Sequence, residues 1–239
     1  MNQQVFQCVN VKCSQCHLKN ICLPTRLIDS EVEHLESVIQ RRKVLNKGDK
    51  LVEAGEDFNY LYAVSSGSFK TFGIYNDGTY QVTNFHYPGE IIGLNSVGFE
   101  TFQSYTVALE TASVCTIKFK DLEEIMRIVP RLRMETLRLM SKEIKQEQKV
   151  IGIICHSDAT KKVVAFLLDL SRRYQNQGLS GEEFRITMTR TDIGNYLGLA
   201  MESICRQLSL LSAQGLIVIR EGYIKLSNLQ KLHALVDLT

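Results

Sequence analysis

Four cysteines fall within the first 22 residues, and three of them, Cys13, Cys16 and Cys22, follow the spacing C-x2-C-x5-C, with Cys8 upstream across four intervening residues. A C-x2-C turn lets two thiolates converge on one metal ion or cluster, and five further residues let the chain return with a third. Three thiolates do not close a site. The fourth ligand is Cys8 or a thiol from a folded domain, and Cys115 stands in the strand-like run Val114 to Phe119. Spacing admits structural zinc and an iron-sulfur cluster alike. Inert cysteine is the weaker reading, because four thiols among polar residues have no core to fill. A second constellation lies near the other end, where Glu202, Cys205 and Arg206 stand at i, i+3 and i+4 of a helical stretch and share one face. Arginine can chelate O6 and N7 of guanine, and glutamate can accept from N4 of cytosine. Taken alone, the same pair reads as an exposed ion pair on a helix surface.

These residues need elements to hold them. Residues 1 to 25 form a cysteine-bearing lead with neither helical nor strand periodicity, ending at Pro24. Asp29 or Ser30 is placed to cap a helix reaching about Gln40, with Val32, Leu35, Val38 and Ile39 as its apolar stripe. From Val44 to Phe119 short apolar or alternating runs (Tyr60 to Val64, Phe69 to Tyr75, Gln81 to His86, Val114 to Phe119) are separated by turn signals such as Asn76-Asp77-Gly78 and Pro88-Gly89-Glu90. Many short strands at that spacing predict an antiparallel roll or barrel.

After Asp121 the texture is helical, with Pro130 in the first turn of a long helix running to about Cys155. Leu137, Met140, Ile144, Glu147, Ile151 and Ile154 recur along it at alternating spacings of three and four, the pattern of a coiled-coil seam with one acid in it. A helix lying on its own barrel would carry a similar stripe, and the position between two domains favours a dimer seam. A helix from Thr160 to near Gly178 follows. Thr189 and Arg190 then open a short capped helix closed by Gly198, and a second helix runs from about Ala200 to Leu211. Ile193 and Leu197 can bury against Ile204, Leu208 and Leu211, as two helices joined by a tight turn require. The hairpin Leu216 to Arg220 and Tyr223 to Leu226, turning at Glu221-Gly222, supplies a wing. The fold class is therefore α+β: an N-terminal β-roll, a long dimerisation helix and a C-terminal winged helix-turn-helix.

Bulk properties bound the reading without choosing it. With 239 residues, 44% hydrophobic and 23% charged, the chain is ordinary globular protein with room for two domains. A formal charge of +2 is too small to announce nucleic-acid binding, although residues 161 to 239 carry 10 Lys/Arg against 7 Asp/Glu, while residues 1 to 160 carry 18 against 19. No segment approaches 18 uninterrupted apolar residues, and the first 25 have no apolar signal core, so a soluble cytoplasmic protein with reduced thiols is expected. The 5 histidines are scattered, and no Ser/His/Asp set, phosphate-binding glycine loop or carboxylate pair marks an enzyme site.

The chain resembles the FNR type of the CRP/FNR family of bacterial regulators over nearly its whole length. The likeness rests on Cys13-Ser14-Gln15-Cys16 with Cys22-Leu23-Pro24, Glu110-Thr111-Ala112-Ser113-Val114-Cys115, Leu139-Met140-Ser141, Leu170-Ser171-Arg172-Arg173, and Met188-Thr189-Arg190 through Gly198-Leu199. The resemblance implies a cyclic-nucleotide-binding-like jelly roll at residues 26–129 behind a cluster-binding segment at 1–25, a dimerisation helix at 130–157 and a DNA-binding domain at 158–239. It implies a [4Fe-4S] cluster on Cys13, Cys16, Cys22 and Cys115, with Cys8 spare, lost to oxygen so that the homodimer weakens and specific DNA binding lapses. Ile144 and Glu147 match the positions where that control acts. It further implies a palindromic operator with TTGAT-like half-sites controlling anaerobic genes, and RNA polymerase as a partner.

Two departures stand out. Gln103-Ser104-Tyr105 occupies the stretch where cyclic-nucleotide-binding relatives carry a phosphate-gripping arginine, so no cyclic nucleotide and no membrane partner are expected. Cys205 replaces the serine of the usual Glu-x-x-Ser-Arg, a weaker hydrogen-bonding group that puts the outer bases of the half-site in question. The competing expectations are a regulator of the same fold using zinc or direct thiol oxidation, and a cysteine-dependent redox enzyme or electron carrier.

Overall fold

The computed structural model describes residues 12–236, without the side chains of Arg41 and Arg42. Cys8 lies outside the described residues. The chain forms two compact units. One holds the chain up to Lys70 together with His86–Ser141; the other holds Thr71–Phe85 together with the chain from Lys142 onward.

Helix α1 (Asp29–Val38) buries Val32 and Leu35. Its N-cap is Ile28, not Asp29 or Ser30. The Glu31 carboxylate accepts from the Ile28 N–H at 3.0 Å and meets an end donor that no preceding side chain reaches. The helix stops two residues before Gln40 because Ile39 turns directly into β1 (Ile39–Leu45), where β-branched and apolar positions serve a sheet better. Seven more strands follow: β2 (Lys50–Val52), β3 (Tyr60–Ser66), β4 (Phe69–Ile74), β5 (Tyr80–His86), β6 (Ile91–Ile92), β7 (Tyr105–Ala108) and β8 (Ala112–Lys118). They make two four-stranded sheets, ordered β1-β8-β3-β6 and β2-β7-β4-β5, which is the expected roll. Central strand β8 pairs antiparallel with β1 and β3 and sets Cys115 opposite Ala63.

The roll's interior is filled by side chains. Phe58 and Phe102 meet edge to face at 5.2 Å between ring centres, and Tyr62 lies beside Phe102 among Val64, Phe69 and Val114. A second core gathers Leu23 and Leu27 of the leader, Val32 and Leu35 of α1, Leu122 and Ile125 of α2 (Phe119–Ile128), and Leu132 and Leu139 of α3 (Pro130–His156).

Helix α3 has a buried face and an exposed stripe. Leu132, Glu135, Thr136 and Leu139 are buried toward the second core, whereas Leu137, Ile144 and Ile151, seven residues apart, are 52%, 55% and 60% exposed. Helix α4 (Ala159–Asn176) starts at an Asp158 cap, whose side chain accepts from the Lys161 N–H. Then come β9 (Glu183–Arg185), α5 (Arg190–Leu197), α6 (Met201–Ala213), the hairpin of β10 (Ile217–Arg220) and β11 (Tyr223–Leu226), and α7 (Leu229–Val236), which packs on α4. The wing sheet is ordered β10-β11-β9. Sequence periodicity leaves β9 unmarked because a three-residue strand carries no measurable period.

Candidate metal centre and nucleic-acid interface

The leader folds into successive tight turns. Cys13 opens a single 3₁₀ turn ending at Gln15, and the Cys16 N–H donates back to the Cys13 carbonyl. The Cys22 N–H reaches the Leu18 carbonyl, and Leu18, Leu23 and Leu27 are buried. Two further groups hold the segment. The Glu36 carboxylate accepts from the Ser14 N–H at 2.8 Å and from its hydroxyl at 2.9 Å, and Lys19 pairs with Asp29 at 3.1 Å. Gly89, at φ +90°, leaves room for Ile21: a Cβ there would stand 2.7 Å from the Ile21 side chain.

Cys13, Cys22 and Cys115 line the second core, and Cys16 acts electrostatically on both Cys13 and Cys22. Burial pushes the Cys13 thiol up to about 12, reinforced by Cys115, Glu36 and Cys16. Burial likewise takes Cys22 to about 12 against a favourable bond from the Leu23 backbone, with Cys13, Cys115 and Cys16 adding to the rise. Cys16, and Cys115 from 93 positions beyond Cys22, thus both act on Cys13 and Cys22. Among the described residues, no cation offsets the rise in either case. Thiols raised in this way stay protonated at neutral pH, and a metal bound by them would displace their protons. Among the described residues, no three His, Cys, Asp or Glu side chains close on a single metal ion. The all-sulfur donor set suits a soft metal or an iron-sulfur core. Glu36, which seats Ser14, carries no sequence signal because its partner lies 22 positions away.

The helix-turn-helix is built as its residues dictate. The Thr189 hydroxyl accepts from the Asp192 N–H at 3.0 Å, while the Asp192 carboxylate accepts from the Thr189 N–H at 3.1 Å, a reciprocal cap on α5. Gly198 closes the helix at φ +62°. Ile193 and Leu197 are buried, as are Ile204, Leu208 and Leu211 of α6. Gly194 permits that packing, since a Cβ on it would lie 2.5 Å from the Leu199 carbonyl oxygen. Its only sequence signal is a glycine inside a helical run.

Glu202, Cys205 and Arg206 are all exposed on α6. Glu202 and Arg206 do not pair with each other among the described residues; the Arg206 guanidinium reaches the Ser203 hydroxyl at 3.5 Å. The surface ion-pair reading therefore finds no support, and both side chains stand available. Arg190 at the start of α5 is half-buried, and burial pulls its guanidinium down against the opposing effect of neighbouring Cys205. Of the seam residues, Glu147 is exposed yet partly desolvated, which raises its carboxyl; Met140 and Ile154 are half-buried. No helix among the described residues is long and apolar enough to cross a membrane.

Both parts of the chain have known relatives. A Crp-like helix-turn-helix domain matches residues 161–235, and a cyclic nucleotide-binding domain matches residues 42–128. The fumarate and nitrate reduction regulatory protein of Salmonella typhimurium is 38% identical over 229 residues, covering 96% of this chain and 92% of that one. The anaerobic regulatory protein of Haemophilus influenzae is 39% identical over 229 residues, covering 96% and 88%. Among solved structures, FixK2 from Bradyrhizobium japonicum superposes with a TM-score of 0.75 at 27% identity, covering 81% of this chain and 96% of FixK2. Matched to such relatives along almost all of their length and carrying both domains, the chain belongs to the FNR branch of the CRP/FNR family of DNA-binding transcription regulators and is not an enzyme.

Proposed function

We propose that this regulator senses oxygen through a [4Fe-4S] cluster held by Cys13, Cys16, Cys22 and Cys115, and that the cluster-loaded homodimer binds a palindromic, TTGAT-like operator to control anaerobic genes. The observation that carries the reading is the packing of two leader thiols, Cys13 and Cys22, with Cys115 of β8 at the edge of the core that also seats α3, with Cys16 acting electrostatically on both leader thiols. When bound, the cluster supplies an oxygen-labile inorganic core that crosslinks leader to roll. The chain's own residues carry the consequence. Leu23 and Leu27, which flank the last leader ligand, share a core with Leu132 and Leu139 of α3. Buried Glu135 of α3 binds Arg138 and faces Arg26 of the leader at 3.8 Å. Loosening the leader therefore loosens the first turns of α3, whose Leu137, Ile144 and Ile151 offer a heptad stripe to a second copy.

Glu147 lies in that stripe, and its desolvation cost opposes pairing until packing elsewhere offsets it. Thr189 and Arg190 hold the phosphate backbone while Glu202 and Arg206 read bases, with Cys205 between them. Occupancy of the roll's interior by Phe58, Tyr62 and Phe102, and the lack of an arginine from Pro88 to Leu109, support an effector other than a cyclic nucleotide. The division into a cluster segment (1–25), roll (26–129), dimerisation helix (130–157) and DNA-binding domain (158–239) is retained as the functional one, in a cytoplasmic protein that touches RNA polymerase on bound DNA.

Iron and sulfide analysis of anaerobically purified protein, with operator binding measured before and after air, tests the proposal. The expected result is a brown protein with about four irons per chain that air bleaches, and that loses operator binding in step. Colourless zinc-bearing protein, or iron loss that leaves binding intact, would overturn it.

A further inference from the structure

We infer that the hairpin Thr71–Phe85 is a strap that transmits the state of the roll to the helix-turn-helix, with Asn195 as the residue that fastens it. The inference rests on the oxygen reading for what is transmitted. It rests on geometry for the strap itself.

Strand β5 is an edge strand of its sheet, so one side of its backbone lacks a partner strand. Asn195, in the middle of α5, takes the place of that strand. The Val82 N–H donates to the Asn195 Oδ1 at 2.5 Å, and the Asn195 Nδ2 donates to the Tyr80 carbonyl at 2.7 Å. These two backbone groups, two residues apart, face the same way along a strand, and a primary amide alone among side chains offers a donor and an acceptor at matching separation. The Gln81 Nε2 donates in return to the Asn195 backbone carbonyl at 2.5 Å.

Beyond this amide clasp the hairpin is anchored a second time. The Phe85 ring meets Tyr196 at 5.0 Å and Phe166 at 6.1 Å between centres, both edge to face. The Arg173 Nη1 donates to the Phe85 carbonyl at 2.9 Å, while its Nε is held by Asp169. The hairpin accordingly belongs to the compact unit of the DNA-binding domain, although both its ends run without interruption into roll strands. A displacement of the roll's strands therefore has a route to α5, covalent into the hairpin and hydrogen-bonded from there, that does not pass along α3.

Asn195→Ala in the full-length chain removes two of the three polar bonds. Hydrogen exchange of the Tyr80–Val82 amides needs neither iron nor DNA, and it should accelerate about tenfold in the variant. The ratio of operator affinities between cluster-loaded and iron-depleted protein should shrink by about tenfold at the same time. Gln81→Ala, which leaves the helix-turn-helix core untouched, should move both readouts in the same direction by less, and serves if Asn195→Ala fails to fold. Unchanged exchange would overturn the clasp. Faster exchange with an unchanged affinity ratio would overturn the strap as a transmitter. A wild-type protein without any iron-dependent affinity difference would instead overturn the oxygen reading and, with it, what the strap transmits.

Discussion

Gly194 is the residue on which the reading head's geometry turns. The Leu199 carbonyl comes so close to its Cα that a methyl group cannot enter without moving backbone. Gly194→Ala should cost about 2 kcal/mol by denaturant unfolding despite alanine's better helix propensity; a neutral or stabilising effect would mean the turn relaxes freely. Asp169 makes a case with the opposite chemistry. Burial raises its carboxyl, but Arg173, Arg172 and Lys149 outweigh that and hold it below the ordinary carboxylate range. A lowered folded pKa gives stability that is present above the unfolded value of about 3.9 and is lost as pH falls through the lower folded one. Asp169→Asn should therefore destabilise at neutral pH by about 3 kcal/mol, because it strands a guanidinium that is mostly buried. The deficit should close on acidification, and melting curves of both proteins at about pH 7 and about pH 3 would reveal it. A deficit that is the same at both values would assign the loss to packing. On the reading face, Arg206→Ala should weaken operator binding by about 1–3 kcal/mol and relax base preference at one position, not at all positions evenly.

At the scale of elements, α3 presents two different faces, the outer one proposed for dimerisation. Its inner face is committed to the second core, and its outer stripe is broken only by Glu147. Desolvation raises that carboxyl, because partial burial penalises its charged form. Glu147→Ala should make dimerisation less dependent on the cluster, seen as more dimer in air by sedimentation; an unaltered aerobic monomer fraction would argue against a role for this charge. The outer stripe was legible in the sequence because its period of 3.5 is independent of what covers it. The inner face was not, since Glu135 reads as a surface residue until Arg138 and Arg26 are brought to it. The thiol leader was likewise legible as a ligand set, but its seating by Glu36 and Gly89 depends on contacts far apart in the chain. Strands β3, β4, β5 and β8 announced themselves as alternating or apolar runs, whereas β2, β6 and β9 are two or three residues long and are defined by their partners alone. Asn195 falls in the same class: an asparagine within a short helix gives no hint that it completes a sheet edge.

For the whole molecule, the proposed pairing through α3 fixes how DNA must be presented. A two-fold dimer places its two α6 helices in successive major grooves on one face of the duplex, so the half-sites must be about 10 base pairs apart, one helical turn. Inserting about 5 base pairs between them rotates one half-site to the far side by half a turn. A folded reading head cannot follow such a rotation, because it buries its apolar residues in a rigid core. Binding to the lengthened operator should fall to the sequence-independent level, whose strength collapses with added salt. Inserting about 10 base pairs, a full turn, should return the half-sites to the same face but beyond the dimer's reach, and so should not restore it. Gel-shift titrations of the three operators at two salt concentrations would distinguish these cases. Equal affinity for all three would mean that each subunit reads its half-site alone, and that the stripe on α3 has another occupant.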